Sequence, residues 1–219
     1  MSTQNIRRTD TDGVCVLTFD RANSSANIFD RDTLLELGAH LDAISKERPK
    51  GLVIISAKPG IFIAGADLKT LASLPASEFK EYIQLGQTTF NRLDDLKIPT
   101  VAAIHGACVG GGFELALACD HRIATDEHAT KIGLPEVNLG ILPAWGGSTR
   151  LPRLIGVPGA LDVILGGKIL AAKPALKRGM IDLIAPREYL LQAALKMAHQ
   201  HKSHHFHTRI LHSPLVNKA

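Results

Sequence analysis

Short runs rich in β-branched residues alternate along the chain with longer stretches whose apolar residues recur at helical spacing, the rhythm of an α/β layered fold. Val14 to Phe19 is a predicted strand. Asp30 to Lys46 is a predicted helix, opened by Asp30 as its N-cap and followed by Pro49. Leu52 to Ala57 predicts a second strand. A loop holding Pro59, Gly60 and Gly65 comes next, and then Ser77 to Leu96 carries helical spacing that stops before Pro99. Thr100 to His105 predicts a buried strand. Gly106 to Cys119 sets four glycines ahead of the helical run Phe113 to Cys119, which predicts a strand, a glycine-rich turn and a helix in succession. Further on the pattern predicts a short strand around Arg122 to Thr125 and a loop through Pro135. A second glycine-rich turn at Pro143 to Gly147 leads into a helix, and another helix lies around Glu188 to His199. No internal repeat or low-complexity linker interrupts the chain before about residue 187, so residues 1–187 are expected as one domain and 188–219 as a C-terminal helix with a basic, His-rich tail.

Composition narrows the class without changing that picture. The chain has 219 residues, 45% of them hydrophobic and 21% charged, enough apolar material for one large core. Cys15, Cys108 and Cys119 show neither CxxC spacing nor close pairing, and are expected as reduced thiols among apolar neighbours. Met1 to Asp12 is polar and lacks the apolar core of a secretory signal, and no segment approaches the ~20 apolar residues of a membrane span. A soluble, cytoplasmic protein without a membrane partner is expected. The net charge of +4 lies largely at the two ends, without clustered Lys and Arg interleaved with aromatics. A nucleic-acid partner is therefore not expected, whereas an anionic small molecule is compatible.

Candidate chemistry begins at Gly110, Gly111 and Gly112. These glycines leave the backbone uncovered where a helix start presents unpaired N–H groups, which suits an anion or a developing oxyanion; close helix–strand packing is the plainer reading. Glu114 then falls in the first turn of an otherwise apolar helix, so a buried carboxylate is expected there rather than a solvated one. Glu136 is a second acid among apolar residues, in Ile132-Gly133-Leu134-Pro135-Glu136-Val137, where a loop salt bridge is the competing role. Two carboxylates held against one substrate can take opposite protonation states, one acid and one base. The stretch Phe62 to Lys69 offers further exposed backbone, and an N–H there opposite the glycine-rich turn would complete an oxyanion hole.

The segments Phe62 to Lys69, His105 to Glu114, Gly133 to Glu136 and Pro143 to Arg150, in this order, resemble the enoyl-CoA hydratase/isomerase family, the crotonases, with a diffuse match over roughly residues 10 to 190. The resemblance implies a crotonase-type spiral of repeated ββα units that binds an acyl-CoA thioester beside the glycine-rich turns. It assigns the oxyanion hole to the backbone N–H groups of Ala66 and Gly111, and the catalytic pair to Glu114 and Glu136. Coenzyme A, which is part of the substrate and not a separate cofactor, is expected against Ala64, Asp67 and Lys69, and more loosely against Ala26 and Ile28. Ala144 stands where the family usually has a glycine whose N–H helps hold the reacting water. Retention of both acids favours hydration of a trans-2-enoyl-CoA over the other reactions of the family, with enoyl-CoA isomerase or another acyl-CoA reaction of the family as the alternative. No metal site is implied.

The wording Gly140 to Pro143 and Thr149 to Gly156 is most similar to the hydratase part of multifunctional fatty-acid oxidation α chains, so the chain is expected either as a homotrimer or hexamer or as part of a larger multifunctional chain. A linker role is expected for His199, His201, His204, His205, His207 and His212. Two other readings compete. A dinucleotide-dependent oxidoreductase would use Asp126 or Glu127 for the ribose, but the glycine spacing is not GxGxxG and two glutamates stay unexplained. A non-catalytic CoA-binding subunit has no need of both acids.

Overall fold

Strand pairing starts at a two-residue turn. In the computed structural model, which describes residues 4–67, 71 and 74–200, β1 (Ile6–Thr11) folds back antiparallel onto β2 (Val14–Phe19) through Asp12 and Gly13. Both turn residues have left-handed backbone, φ 52° and 83°. That is the geometry of a type I′ turn, which Asp-Gly accepts readily. The strands that follow are β3 (Gly51–Ser56), β4 (Ile61–Ile63), β5 (Thr100–Ile104), β6 (Ala107–Val109), β7 (His121–Ala124), β8 (Lys131–Gly133), β9 (Ile169–Leu170) and β10 (Leu183–Ile184). The described helices are α1 (Arg31–Glu47), α2 (Ala76–Asp94), α3 (Gly111–Ala118), α4 (Gly147–Ile155), α5 (Val157–Ile164), α6 (Ala172–Lys177) and α7 (Leu190–Ala198).

The strands form a six-stranded sheet, ordered β1-β2-β3-β5-β7-β10, and a four-stranded sheet, ordered β4-β6-β8-β9. The chain alternates between them. β3 enters the large sheet and β4 the small one before α2; β5 and β6 repeat the move before α3; β7 and β8 repeat it before a 3₁₀ turn at Glu136–Leu139. This is the coiled ββα repeat that the family resemblance implies.

The packing explains why these segments hold their places. Asp30 caps α1 by accepting the Thr33 N–H at 2.8 Å, and Leu34, Leu37, Leu41 and Ile44 then recur on the buried side. Each such side chain contributes about 1.5–3 kcal/mol when fully buried. The opposite face of the large sheet, with Val14, Val16, Val53, Val101 and Ile123, is covered by Leu190, Ala194 and Ala198 of α7. At Gly51 a side chain would strike the Ala198 carbonyl, so strand and helix touch through backbone. Cys15, Cys108 and Cys119 are buried and form no disulfide. Among the described residues, no helix is long and apolar enough to cross a membrane.

Candidate active site

Three strands of the small sheet, β4, β6 and β8, are neighbours and run parallel, so the segments leaving their C-terminal ends emerge on one edge. Those segments carry Ala64 to Asp67, Gly110 to Glu114 and Leu134 to Glu136. Residues far apart in the chain are thus gathered by topology alone. Ladder contacts continue beyond the strands, since the Gly110 N–H donates to the Gly133 carbonyl at 3.0 Å.

Two main-chain amides face into this cluster. The Phe29 N–H donates to the Gly65 carbonyl at 2.8 Å and the Asp67 N–H to the Phe29 carbonyl at 3.0 Å, the pattern of a parallel bridge between Phe29 and Ala66. In such a bridge the hydrogen bonds are made by the residues flanking Ala66, so its own N–H points the other way. Gly111 opens α3 after Gly110, whose φ of 54° with ψ of −130° is backbone that glycine alone adopts without strain. As the first helical residue, Gly111 has no intrahelical acceptor for its N–H. Among the described residues, neither the Ala66 nor the Gly111 amide has a backbone acceptor. The two lie close together. A Cβ on Gly111 would sit 3.5 Å from the Ala66 nitrogen, and one on Gly65 would sit 3.2 Å from the Gly111 nitrogen. What permits the approach is Gly112, where any Cβ would lie 2.1 Å from the Ile63 carbonyl oxygen at the end of β4.

Glu114 projects from the first turn of α3 and is 2% exposed. Its Oε1 accepts two backbone N–H groups, those of Trp145 and Gly147, at 2.8 Å each. Glu136 begins the 3₁₀ turn after β8 and is 7% exposed. Its Oε1 comes within 3.3 Å of where a Cβ on Gly110 would be, so it lies against the start of the helix that carries Glu114. Glu136 Oε2 is buried without a hydrogen-bond partner among the described residues. An unmet buried acceptor costs on the order of 1–3 kcal/mol, which a bound ligand or water would relieve. Burial pushes the Glu114 carboxyl up to about 7; the Gly147 N–H opposes this, the charge of Glu136 adds to it, and the Trp145 N–H and Arg150 oppose it. Glu136 is pushed up to about 6, again by burial, against a hydrogen bond from its own backbone. Between these values the pair holds about one proton, the state that supplies one acid and one base.

The raised Glu114 value fixes a stability trend. A carboxyl whose folded pKa lies above its unfolded value contributes most below the unfolded value and loses that contribution as pH rises through the folded one. Glu114 runs from 4.5 to about 7. Glu114→Gln, neutral throughout, is therefore expected to gain stability relative to the unsubstituted protein by on the order of 3 kcal/mol between about pH 5 and pH 8. Urea unfolding at the two pH values measures it, and a difference that does not change with pH contradicts the burial argument.

The other expected residues fall as follows. Ala64 donates its N–H to the Asn27 carbonyl at 2.9 Å, so the segment Ala26 to Ile28 runs beside Ala64 to Asp67. Ala26 and Ile28 are half-buried. Lys69 lies outside the described residues, as do the tail histidines beyond His199. Ala144 is in the turn that serves Glu114, its carbonyl accepting Gln87 Nε2 at 2.8 Å, but the amides reaching Glu114 are those of the following residues, Trp145 and Gly147.

Three residues not singled out in the sequence shape the site. Asn27, 1% exposed, donates to the Phe19 and Phe62 carbonyls at 3.1 Å and to Ser56 Oγ at 2.8 Å, clamping its loop to the ends of β2 and β4. Trp145 packs edge-on against Phe29, Tyr82 and Phe90, and its ring lies where a side chain on Gly111 or Gly86 would be. Arg150 is buried beside it. Trp145 stands directly before Gly146 and Gly147, and a lone tryptophan inside a glycine turn is the signal that would have marked it.

Comparison with known proteins points one way. The family described as enoyl-CoA hydratase/isomerase matches residues 9–219. A fatty acid oxidation complex subunit alpha from Shewanella putrefaciens is 46% identical over 198 residues, covering 90% of this chain and 28% of that protein. The chain thus spans little more than a quarter of the curated relatives it matches. Among solved structures, an enoyl-CoA hydratase from Bacillus anthracis superposes with a TM-score of 0.84 at 35% identity, covering 89% of this chain and 75% of that one. The human mitochondrial delta3-delta2-enoyl-CoA isomerase superposes with a TM-score of 0.85 at 30% identity, covering 95% and 81%.

Proposed function

Since this chain belongs to the enoyl-CoA hydratase/isomerase family, we propose that it is an enoyl-CoA hydratase, adding water across the 2,3 double bond of a trans-2-enoyl-CoA. The observation that carries this reading is the convergence of two buried carboxylates, Glu114 and Glu136, beside two main-chain amides without a backbone acceptor among the described residues, Ala66 and Gly111. The thioester carbonyl sits on those amides, which polarise it and make C3 electrophilic. With Glu114 Oε1 engaged by two amides, Oε2 is left for the water, and Glu136 Oε2 supplies the second contact. One glutamate takes a proton from the water as its oxygen bonds to C3, and the other delivers a proton to C2. The enolate-like charge formed between these events is met by Ala66 and Gly111.

The coenzyme A moiety runs along Ala26, Ile28, Ala64 and Asp67, with Lys69 as its cation, and the Ala144 amide helps hold the water. The Shewanella relative, a fatty acid oxidation complex subunit alpha, supports fatty-acid oxidation as the setting. A homotrimer or hexamer, or a place within a longer multifunctional chain, belongs to the same proposal. The isomerase neighbour keeps migration of the double bond as the second reading. Crotonyl-CoA tests the first directly: its enone absorbance is expected to fall on addition of the protein as 3-hydroxybutyryl-CoA accumulates. A steady enone band with bound crotonyl-CoA would contradict hydration and leave isomerisation or binding alone.

A further inference from the structure

We infer that Arg150 is a positioning residue: it holds the Ala144–Gly147 turn in place so that two main-chain amides keep Glu114 aimed at the reacting water. The inference rests on the reading of Glu114 as a reacting group. Arg150 lies in α4 and is 5% exposed, so its guanidinium has to be satisfied by the protein. Three of its nitrogens are. Nη1 donates to the Trp145 carbonyl at 3.1 Å, Nε to Asp94 Oδ2 at 3.0 Å, and Nη2 to Asn91 Oδ1 at 2.7 Å.

Asn91 and Asp94 both belong to α2, so the guanidinium is a strut between that long helix and the turn. Gln87, also on α2, holds the same turn by the Ala144 carbonyl at 2.8 Å. On the other side of the turn, the N–H groups of Trp145 and Gly147 reach Glu114. One residue, Trp145, is therefore gripped at its carbonyl by Arg150 and donates its amide to Glu114. The fit is close. Any Cβ at Gly146 would come within 1.9 Å of Arg150 Nη1, which accounts for a glycine between Trp145 and Gly147, the two residues whose amides reach Glu114.

This arrangement differs from a plain structural staple in what it controls. The groups facing Glu114 are the N–H groups of Gly147 and Trp145, the carboxylate of Glu136 and the cation of Arg150. Loosening the strut withdraws the cation and relaxes both N–H bonds. All three favour the ionised carboxylate, so their weakening raises the pH at which Glu114 loses its proton. A misplacement of about 1 Å at a reacting group can cost on the order of 10²-fold in rate. A lysine keeps the charge but not the planar fork that meets three acceptors in three directions.

The test compares Arg150→Met, Arg150→Lys and Asn91→Ala with the unsubstituted protein, using crotonyl-CoA hydration across pH with thermal melting alongside. Asn91 is exposed, so its loss removes one acceptor of the guanidinium from a surface position. Arg150→Met is expected to lower kcat by about 10- to 100-fold with KM little changed, and to move the alkaline limb of the rate profile to higher pH. Arg150→Lys recovers part of both, and Asn91→Ala shows the same shift in smaller degree. Should Arg150→Met fail to fold, Asn91→Ala decides. Glu114→Gln runs in the same assay to separate the two layers. If it retains the full rate, the role of Glu114 falls and this inference with it. If it is inactive while folded Arg150→Met or, failing that, Asn91→Ala keeps kcat and pH dependence, the inference alone is overturned; a change confined to KM overturns it equally.

Discussion

Glu114→Gln and Glu136→Gln are each expected to lower kcat for enoyl-CoA hydration by about 10²- to 10⁴-fold, the contribution usual for a positioned acid or base. Neither substitution removes the Ala66 or Gly111 amide, so acyl-CoA affinity should stay within a few-fold of its original value. The double variant should fall little further than the worse single one, because in the proposed mechanism the two groups act on one water and their effects do not add. Glutamine keeps the shape of each carboxyl. In Glu114→Gln its carbonyl oxygen can still accept the N–H groups of Trp145 and Gly147 that now bind Oε1. Stopped-flow absorbance with crotonyl-CoA, together with calorimetry using a saturated acyl-CoA, measures both halves of the expectation. Single variants within threefold of the original rate would remove the acid–base pair from the mechanism.

The second large effect belongs to the amides. Replacing the Ala66 N–H by an ester oxygen, with lactic acid in place of Ala66, changes one atom and keeps the methyl group. Loss of one oxyanion donor is expected to lower kcat by about 10²- to 10³-fold, or roughly 2.7–4 kcal/mol of transition-state stabilisation. The same replacement at Gly111, with glycolic acid, should cost a similar amount. A side chain is the wrong probe at Gly111, since its Cβ would meet the Trp145 ring at 2.6 Å and repack the site. Binding should change far less than rate, because the carbonyl oxygen gains its charge only as the reaction proceeds. Esters that bind and turn over normally would show that the carbonyl rests elsewhere.

Much of the architecture was legible because its signals are local. Asp30 as a cap and the spacing Leu34, Leu37, Leu41 placed α1 to within a residue. The strand β1 was not, since its sequence IRRTDT is an edge strand with mostly exposed polar side chains and carries no apolar pattern. Asp12-Gly13 was the cue for it, and it lies in the turn instead of the strand. The small sheet escaped for another reason. Its strands β4, β6 and β8 have three residues each, too few for a period to show, and β6 is embedded in the glycine-rich run from which only the turn and helix stood out. The start of α3 was expected at Phe113 and lies at Gly111, because glycines that are poor helix formers are kept there by contact with Ile63 and Trp145.

The site divides along the same line. Glu114 and Glu136 could be noticed as acids among apolar residues, but their nearness follows from β6 and β8 being parallel neighbours, a non-local fact that entered only through family resemblance. Arg150 and Asn27 carried no signal of burial, since both types are mostly found at surfaces. Their importance comes from what they hold: the turn that orients Glu114, and the loop that runs beside Ala64 to Asp67.

In the proposed reaction one water, held by two glutamates, enters the substrate. Mass spectrometry of the product formed from crotonyl-CoA in heavy-oxygen water and, separately, in deuterium oxide follows both of its parts. A 3-hydroxyacyl thioester with one solvent oxygen at C3 and one solvent hydrogen at C2 is the expected result, formed about 10²- to 10⁴-fold more slowly by Glu114→Gln and Glu136→Gln. Solvent hydrogen exchanged into an unsaturated product with no oxygen gained would contradict hydration and assign the pair to double-bond migration.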